Sequence, residues 1–170
     1  PTKTMYKKLS KEELSLKKWK SIINEAISFG VKEFHLCGGG EPFFYKETAL
    51  KLMEMIKSKH CHGEIITNGT LLNNKDIMRL VEIEWDKITF SLNSSKEEID
   101  DYLRDKGAYK NTIDNIKKFI KYKRKLKKTK PVLALHVVLC NKNYKDIYDL
   151  IKFASELECN EVFFNSMNIW

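Results

Sequence analysis

No apolar run in this chain approaches the roughly 18 residues that a membrane span requires, so a helical membrane protein is excluded. Glycine and proline are scarce, 7 and 3 in 170 residues, which excludes collagen-like and low-complexity readings. The 4 cysteines stand at 37, 61, 140 and 159, with no two closer than 19 residues. That is neither a disulfide framework nor a Cys-x-x-Cys metal or redox motif, and a reducing cytoplasm is the expected compartment. The first residues, Pro1-Thr-Lys-Thr-Met-Tyr-Lys-Lys, lack the apolar stretch of a signal peptide. What is present is 42% hydrophobic residues, enough for one domain with a real core.

The net charge is +8, but it is local. Residues 117–130 hold nine of the 31 Lys and Arg and no acid; the remainder, 22 bases against 23 acids, is close to neutral. Such a segment reads as a solvated helix running to its C-terminus, where cations favour the dipole. Phe119 and Tyr122 interleave with the bases, so an RNA or acidic-substrate contact through this helix stays open. His60, Cys61 and His62 are possible ligands in sequence, and they read as a loop before Gly63.

Apolar spacing predicts a repeated alternation of helices and strands. Leu16, Trp19, Ile23 and Ile27 define a first helix, with Ser15 as N-cap and Gly30 just past its end. Further helices are expected over 48–59, 74–84, 96–104, 109–128 and 144–157, with Pro131 stopping the fifth of these six. Strands are expected over 31–37, 64–67, 87–92, 132–140 and 161–165. Strand–helix–strand alternation means parallel strands with right-handed crossovers. Two closures fit, an open doubly wound sheet or an arc of a β/α barrel. In both, ligands sit at the carboxyl ends of the strands.

Those strand ends are polar, small or Gly-rich, and the first is the most specific. Gly38-Gly39-Gly40-Glu41-Pro42 follows a strand but is no phosphate loop. Position 43 is Phe where a dinucleotide fingerprint needs glycine, no Gly-Lys-Ser/Thr exists, and Glu41 would repel phosphate. A ligand of opposite sign makes sense of it. Glycines admit a ligand to bare backbone carbonyls, and a carboxylate accepts charge-assisted hydrogen bonds from an ammonium. The segment therefore suits the primary amine of an amino acid. Thr67, Asn68, Ser91 and Asn93 add hydroxyl and amide groups for a ribose or a carboxylate. Arg104 is either a partner for a ligand carboxylate or a surface base among Asp100, Asp101 and Asp105. His136, in the most apolar strand, reads first as a core histidine.

Taken in order, Leu36-Cys-Gly-Gly-Gly-Glu-Pro, Ile65-Ile-Thr-Asn-Gly-Thr, Ile88-Thr-Phe-Ser-Leu-Asn-Ser, Arg104 with Lys106-Gly-Ala-Tyr, and Leu135-His-Val-Val-Leu-Cys-Asn resemble the radical S-adenosylmethionine (radical SAM) enzymes over about residues 15–165. The resemblance implies an α/β fold: a parallel sheet of about five strands with alternating helices, part of a (β/α)6 partial TIM-like barrel. It implies that Gly39, Gly40 and Glu41 hold the methionyl amine of S-adenosylmethionine. Ser91, with Thr67, Asn68 and Asn93, would meet its ribose or carboxylate, and Arg104 would be the carboxylate-binding arginine. It further implies a 4Fe–4S cluster and a reductant, and production of a 5′-deoxyadenosyl radical that abstracts hydrogen from a substrate. Peptide, nucleotide and small-metabolite substrates are all open.

The family's Cys-x3-Cys-x2-Cys cluster loop is not in this sequence. The expectation is therefore that residues 1–14 are a linker following a missing cluster loop, and that residues 15–170 are the barrel core of a larger enzyme, inactive by itself. No cluster ligand and no catalytic residue is assigned in this chain. Two other readings stay open: a cluster-less module binding S-adenosylmethionine or an amino acid, and an α/β domain binding RNA through the 117–130 helix.

Overall fold

The computed structural model describes residues 13–38 and 40–166. Helix α1 (Leu16–Ser28) leads into strand β1 (Glu33–Leu36). A 3-10 turn (Pro42–Tyr45) opens α2 (Lys46–Ser58), followed by β2 (His62–Thr67), α3 (Asn74–Glu82) and β3 (Lys87–Ser91). Two helices, α4 (Glu97–Leu103) and α5 (Ala108–Leu126), precede β4 (Val132–Leu139). A second 3-10 turn (Tyr144–Asp146) starts α6 (Ile147–Glu156), and β5 (Glu161–Ser166) ends the described chain. No helix among the described residues is long and apolar enough to cross a membrane.

The five strands form one parallel sheet in the order β1-β2-β3-β4-β5. That order decides between the two closures. A doubly wound sheet reverses its strand order at a switch point, and this sheet never reverses. Right-handed crossovers that always advance in one direction put every helix on the same face. Burial agrees: Gly63, Ile65 and Thr67 of β2, Ile88 and Phe90 of β3, and Leu133, Leu135 and Val137 of β4 are buried beneath the helices. The alternate positions His62 and Ile66 are exposed, and His136 is half-buried. The chain is thus an arc of a β/α barrel with an open inner face.

Local chemistry explains most element ends. Ser15 caps α1, its side chain accepting from the Lys18 N–H (3.3 Å). Asn73 and Asp76 make a reciprocal capping box at α3. Helix α5 ends at Lys127, which adopts a left-handed φ of 53°, so the helix stops before Pro131 is reached. The core joins Trp85, Phe43, Phe90 and Phe119, all fully buried, with Phe90 and Phe119 edge to face at 5.9 Å. Gly63 lies against the Trp85 indole, where a Cβ would stand 2.1 Å from the ring.

Several boundaries differ from the expected ones. The expected strand at 64–67 begins two residues earlier, at His62, so His62 belongs to the strand while Cys61 stays in the loop before it. Cys61 is buried against the helices and His62 faces the open side. The helix expected at 144–157 opens as a 3-10 turn because the Asp146 carboxylate is drawn to Ser94 and Ser95. The helix expected at 48–59 gains a turn at its start, where Pro42 initiates the 3-10 segment.

Candidate functional site

At the carboxyl ends of β1, β2 and β3 a continuous hydrogen-bond network joins most of the residues singled out in the sequence. Glu41 caps the 3-10 turn, its Oε1 accepting from the Phe43 N–H (3.1 Å) and from the Thr67 hydroxyl (2.7 Å). Its Oε2 accepts from the Asn68 N–H (2.7 Å). A carboxylate offers about four lone-pair sites, so among the described residues one on Oε2 is left for a ligand. Thr67 is buried, and its oxygen also accepts from the Gly69 N–H (3.0 Å), which closes the loop after β2. Gly69 has a φ of 73°, and a Cβ there would lie 2.6 Å from Phe90, so both conformation and space require glycine. Nothing lies within 4 Å of where a Cβ on Gly38 would stand. Gly39 lies outside the described residues; Gly40 is exposed and leads directly into Glu41.

Asn68 folds its side chain locally, Oδ1 accepting from both the N–H (2.9 Å) and the hydroxyl (2.8 Å) of Thr70. Its backbone carbonyl accepts from Arg104 (3.3 Å) and from the Thr112 hydroxyl (2.8 Å). Arg104 also donates to the Ser91 carbonyl and pairs with the fully buried Asp100. Its guanidinium therefore bolts the ends of β2 and β3 to helix α4. Asn93 is fixed from three sides: its N–H donates to Asp100 (2.7 Å), its carbonyl accepts from Asn143 (2.8 Å), and its side-chain oxygen accepts from the Val138 N–H (2.9 Å). Ser91 lies on the open face, next in register to His136, whose Nε2 meets the Asn165 amide at 2.9 Å. His136 is thus half-buried on the open face, not in the core.

Some supporting residues were not foreseen. Asn143 ties the end of β4 to Asn93, and Asp146 holds the loop after β3 through Ser94 and Ser95. Burial pushes the Asp146 carboxyl up, but hydrogen bonds from Ser94, Ser95 and Lys96 outweigh it and hold the group below the usual aspartate range. Asp101 is held low by the Gly107 N–H (2.6 Å) and then the Tyr109 N–H (2.9 Å), which fixes the start of α5. These contacts span up to 52 residues, and no local pattern announces them.

The described cysteines do not fit a 4Fe–4S cluster. Cys37 and Cys140 follow β1 and β4 at one end of the sheet, whereas Cys61 and Cys159 precede β2 and β5 at the other. Three strand intervals, roughly 14 Å, separate the first pair, and cluster thiolates must surround one small core. Burial pushes the Cys159 thiol up to about 12, the nearby Lys123 opposing weakly.

The basic segment lies on the outer side, away from the strand ends. Five of its nine bases have partners within the fold: Lys118 on Asn115, Lys123 on the Pro131 carbonyl, Arg124 on Glu158, Lys128 on Glu84 and Lys130 on Asp86. A shallow cavity of about 450 Å³ there is lined by Lys123, Lys127, Glu158 and Cys159 among others. It holds no residue of the Glu41 network, and the hydrogen-bond geometry around Glu41 is the better guide to a binding site.

The chain is similar to known proteins in sequence and in fold. The chain is 27% identical over 140 residues, 80% of its length, to the tungsten-containing aldehyde ferredoxin oxidoreductase cofactor-modifying protein of Pyrococcus furiosus, of which it covers 38%. It is 28% identical over 154 residues, 91% of its length, to a probable GTP 3′,8-cyclase of Sulfurisphaera tokodaii, of which it covers 45%. The chain thus spans about two fifths of the length of these curated relatives. Among solved structures, SuiB of Streptococcus suis bound to S-adenosylmethionine superposes with a TM-score of 0.77 at 19% identity, over 91% of this chain and 34% of that one. That likeness is one of fold: a parallel sheet with alternating helices. A family model described as the Radical SAM superfamily matches residues 3–154, and the chain belongs to that superfamily, whose members use S-adenosylmethionine and, characteristically, a 4Fe–4S cluster.

Proposed function

We propose that this chain is the S-adenosylmethionine-binding core of a radical enzyme, with Gly39, Gly40, Glu41, Thr67, Asn68, Ser91, Asn93 and Arg104 as its binding set. The observation that carries the reading is the Glu41 carboxylate. Among the described residues three donors of the chain itself fix its orientation, and one acceptor position on Oε2 stays free. A rigid anionic acceptor at a strand end suits an ammonium, because no side-chain freedom has to be lost on binding. Ser91 and Asn93 stand at the adjoining strand end, where the ribose or carboxylate of the same ligand would reach. Arg104 contributes charge and rigidity together, since it grips the Asn68 and Ser91 carbonyls that frame the site.

In this superfamily, bound S-adenosylmethionine supplies a 5′-deoxyadenosyl radical when a reduced cluster cleaves it, and the protein positions it and excludes water. The four cysteines of this chain, split between the two ends of the sheet, would not hold the cluster, so its thiolates would have to come from elsewhere. The substrate is a feature of the whole enzyme. The matched relatives are named for a tungsten-enzyme cofactor, GTP and a coproporphyrin, and SuiB was solved with a precursor peptide. This core is shared scaffold across those substrate classes.

Calorimetric titration of the 170-residue chain with S-adenosylmethionine tests the reading. Binding at one equivalent, competed by methionine, supports it. Absence of heat at millimolar ligand from folded protein refutes it.

A further inference from the structure

We propose that Glu33, His62 and Glu64 form a divalent-metal site on the open face of the sheet, with His35 orienting Glu33. The site lies toward the amino ends of β1 and β2, the opposite end from the Glu41 network, so it stands or falls independently of cofactor binding. Strand alternation and register create it. Glu33 pairs with His62 and His35 with Glu64, so four ligand-type residues form a two-by-two square on one face. One oxygen or nitrogen from each of Glu33, His62 and Glu64 lies within 4.8 Å of the others. Ligand atoms around a zinc-sized ion stand about 3.4 Å apart, so closure takes about an ångström of side-chain rotation. Glu33 and His62 are about half exposed and free to make it.

The imidazoles supply the second argument. His62 has Glu64 Oε1 at 3.2 Å from Nε2 and Asp86 Oδ1 at 3.7 Å from Nδ1. His35 has Glu33 Oε1 at 2.8 Å from Nε2 and Glu64 Oε2 at 3.4 Å from Nδ1. Carboxylates only accept, and a neutral imidazole has one donor and one acceptor nitrogen. In each neutral ring, therefore, one lone pair faces a carboxylate oxygen. A cation between His62 Nε2 and Glu64 removes the conflict. It leaves Nδ1–H facing the buried Asp86 at 3.7 Å, so a small turn of the ring would bring the two into the carboxylate–histidine–metal arrangement that fixes a ligand's tautomer, alongside the Lys57, Lys130 and Gly63 donors that Asp86 already has. His35 then donates its single ring N–H from Nε2 to the coordinating Glu33 (2.8 Å) from outside. Lys87 offsets the negative charge only in part, because its ammonium sits 2.6 Å from Glu161 and makes a longer ion pair, 3.9 Å, with Glu64. One imidazole and two carboxylates favour Zn²⁺, Co²⁺ or Mn²⁺ over thiolate-seeking ions.

The test is a Co²⁺ titration of the metal-stripped 170-residue chain, followed by visible absorption, with Zn²⁺ as competitor. The expected result is one equivalent bound, displaced by Zn²⁺, with no thiolate-to-cobalt charge-transfer band. Glu64→Gln and His62→Gln should weaken binding at least about tenfold, and His35→Ala by about tenfold, while Cys37→Ala leaves it unchanged. Circular dichroism melts in metal-free buffer confirm that each variant is folded; His35 and His62 are about half exposed, and Glu64→Gln keeps the size of the less exposed Glu64 side chain. Failure to saturate at one equivalent, a thiolate band, or undiminished binding by the folded His62→Gln and Glu64→Gln variants overturns the proposal.

Discussion

Replacing Glu41 by glutamine tests the site with a change of a single atom. The carboxylate now accepts from the Phe43 N–H, the Thr67 hydroxyl and the Asn68 N–H. An amide must put an NH₂ where one oxygen was. At the Oε2 position it meets the Asn68 N–H, donor against donor. At the Oε1 position it meets the Phe43 N–H, although the Thr67 hydroxyl can rotate to accept. Either way one backbone donor loses its partner, at about 1–3 kcal/mol when fully buried. Glu41 is half-buried, so about 1–2 kcal/mol is expected. For a domain of this size that lowers the melting temperature by roughly 2–8 °C. The ligand's ammonium loses a charge-assisted partner and keeps a neutral one, a difference of about 1–2 kcal/mol, or roughly 5–30-fold in affinity. Urea unfolding reads the first effect and calorimetry of the folded variant reads the second. An unchanged midpoint refutes the internal role of the carboxylate. Unchanged S-adenosylmethionine affinity in folded Glu41→Gln refutes its role toward the amine.

Three further outcomes are expected. Gly63→Ala drives a methyl into the Trp85 indole, itself held by its N–H on the Lys87 carbonyl (3.0 Å), and should cost about 1–3 kcal/mol by urea unfolding; a loss under about 0.5 kcal/mol contradicts the packing. Asp146 and Asp86 have carboxyls held below the ordinary 3.8, so their contribution is present above that value and lost as pH falls through the lower folded value. Melts from pH 7 to pH 2.5 should show stability declining below about pH 4, and Asp146→Asn should flatten part of that limb. Mass-mapped alkylation at pH 8 should label exposed Cys37 first, with buried Cys61 and the thiol of Cys159, which burial pushes up, both slow; equal rates contradict the thiols' placement.

The alternation of elements was legible because each carries its own periodicity and punctuation: Ser15 at a cap, Gly30 past a helix end, Asn73 with Asp76 at another start. The choice of barrel arc over doubly wound sheet was not, since strand order is set by tertiary pairing, and only the resemblance pointed to it. At the site, Glu41, Thr67 and Asn68 announced themselves by residue type at a strand end, and they do meet. The double engagement of Arg104 did not, because its partners lie 13 and 36 residues away in sequence. The Glu33–His62–Glu64 square was hidden by a two-residue error at the start of β2. Reading Glu-x-His and His-x-Glu as strand alternation on neighbouring strands would have exposed it.

The uninterrupted strand order has a kinetic meaning. Among the described residues, each strand from β2 to β5 hydrogen-bonds to the one that precedes it in the chain, so none of these four waits for a partner yet to be synthesised. Assembly can proceed vectorially, each new strand–helix unit docking on a finished edge as it leaves the ribosome. Loop closure stays short at every step, which keeps the entropy of each addition low for a wholly parallel sheet.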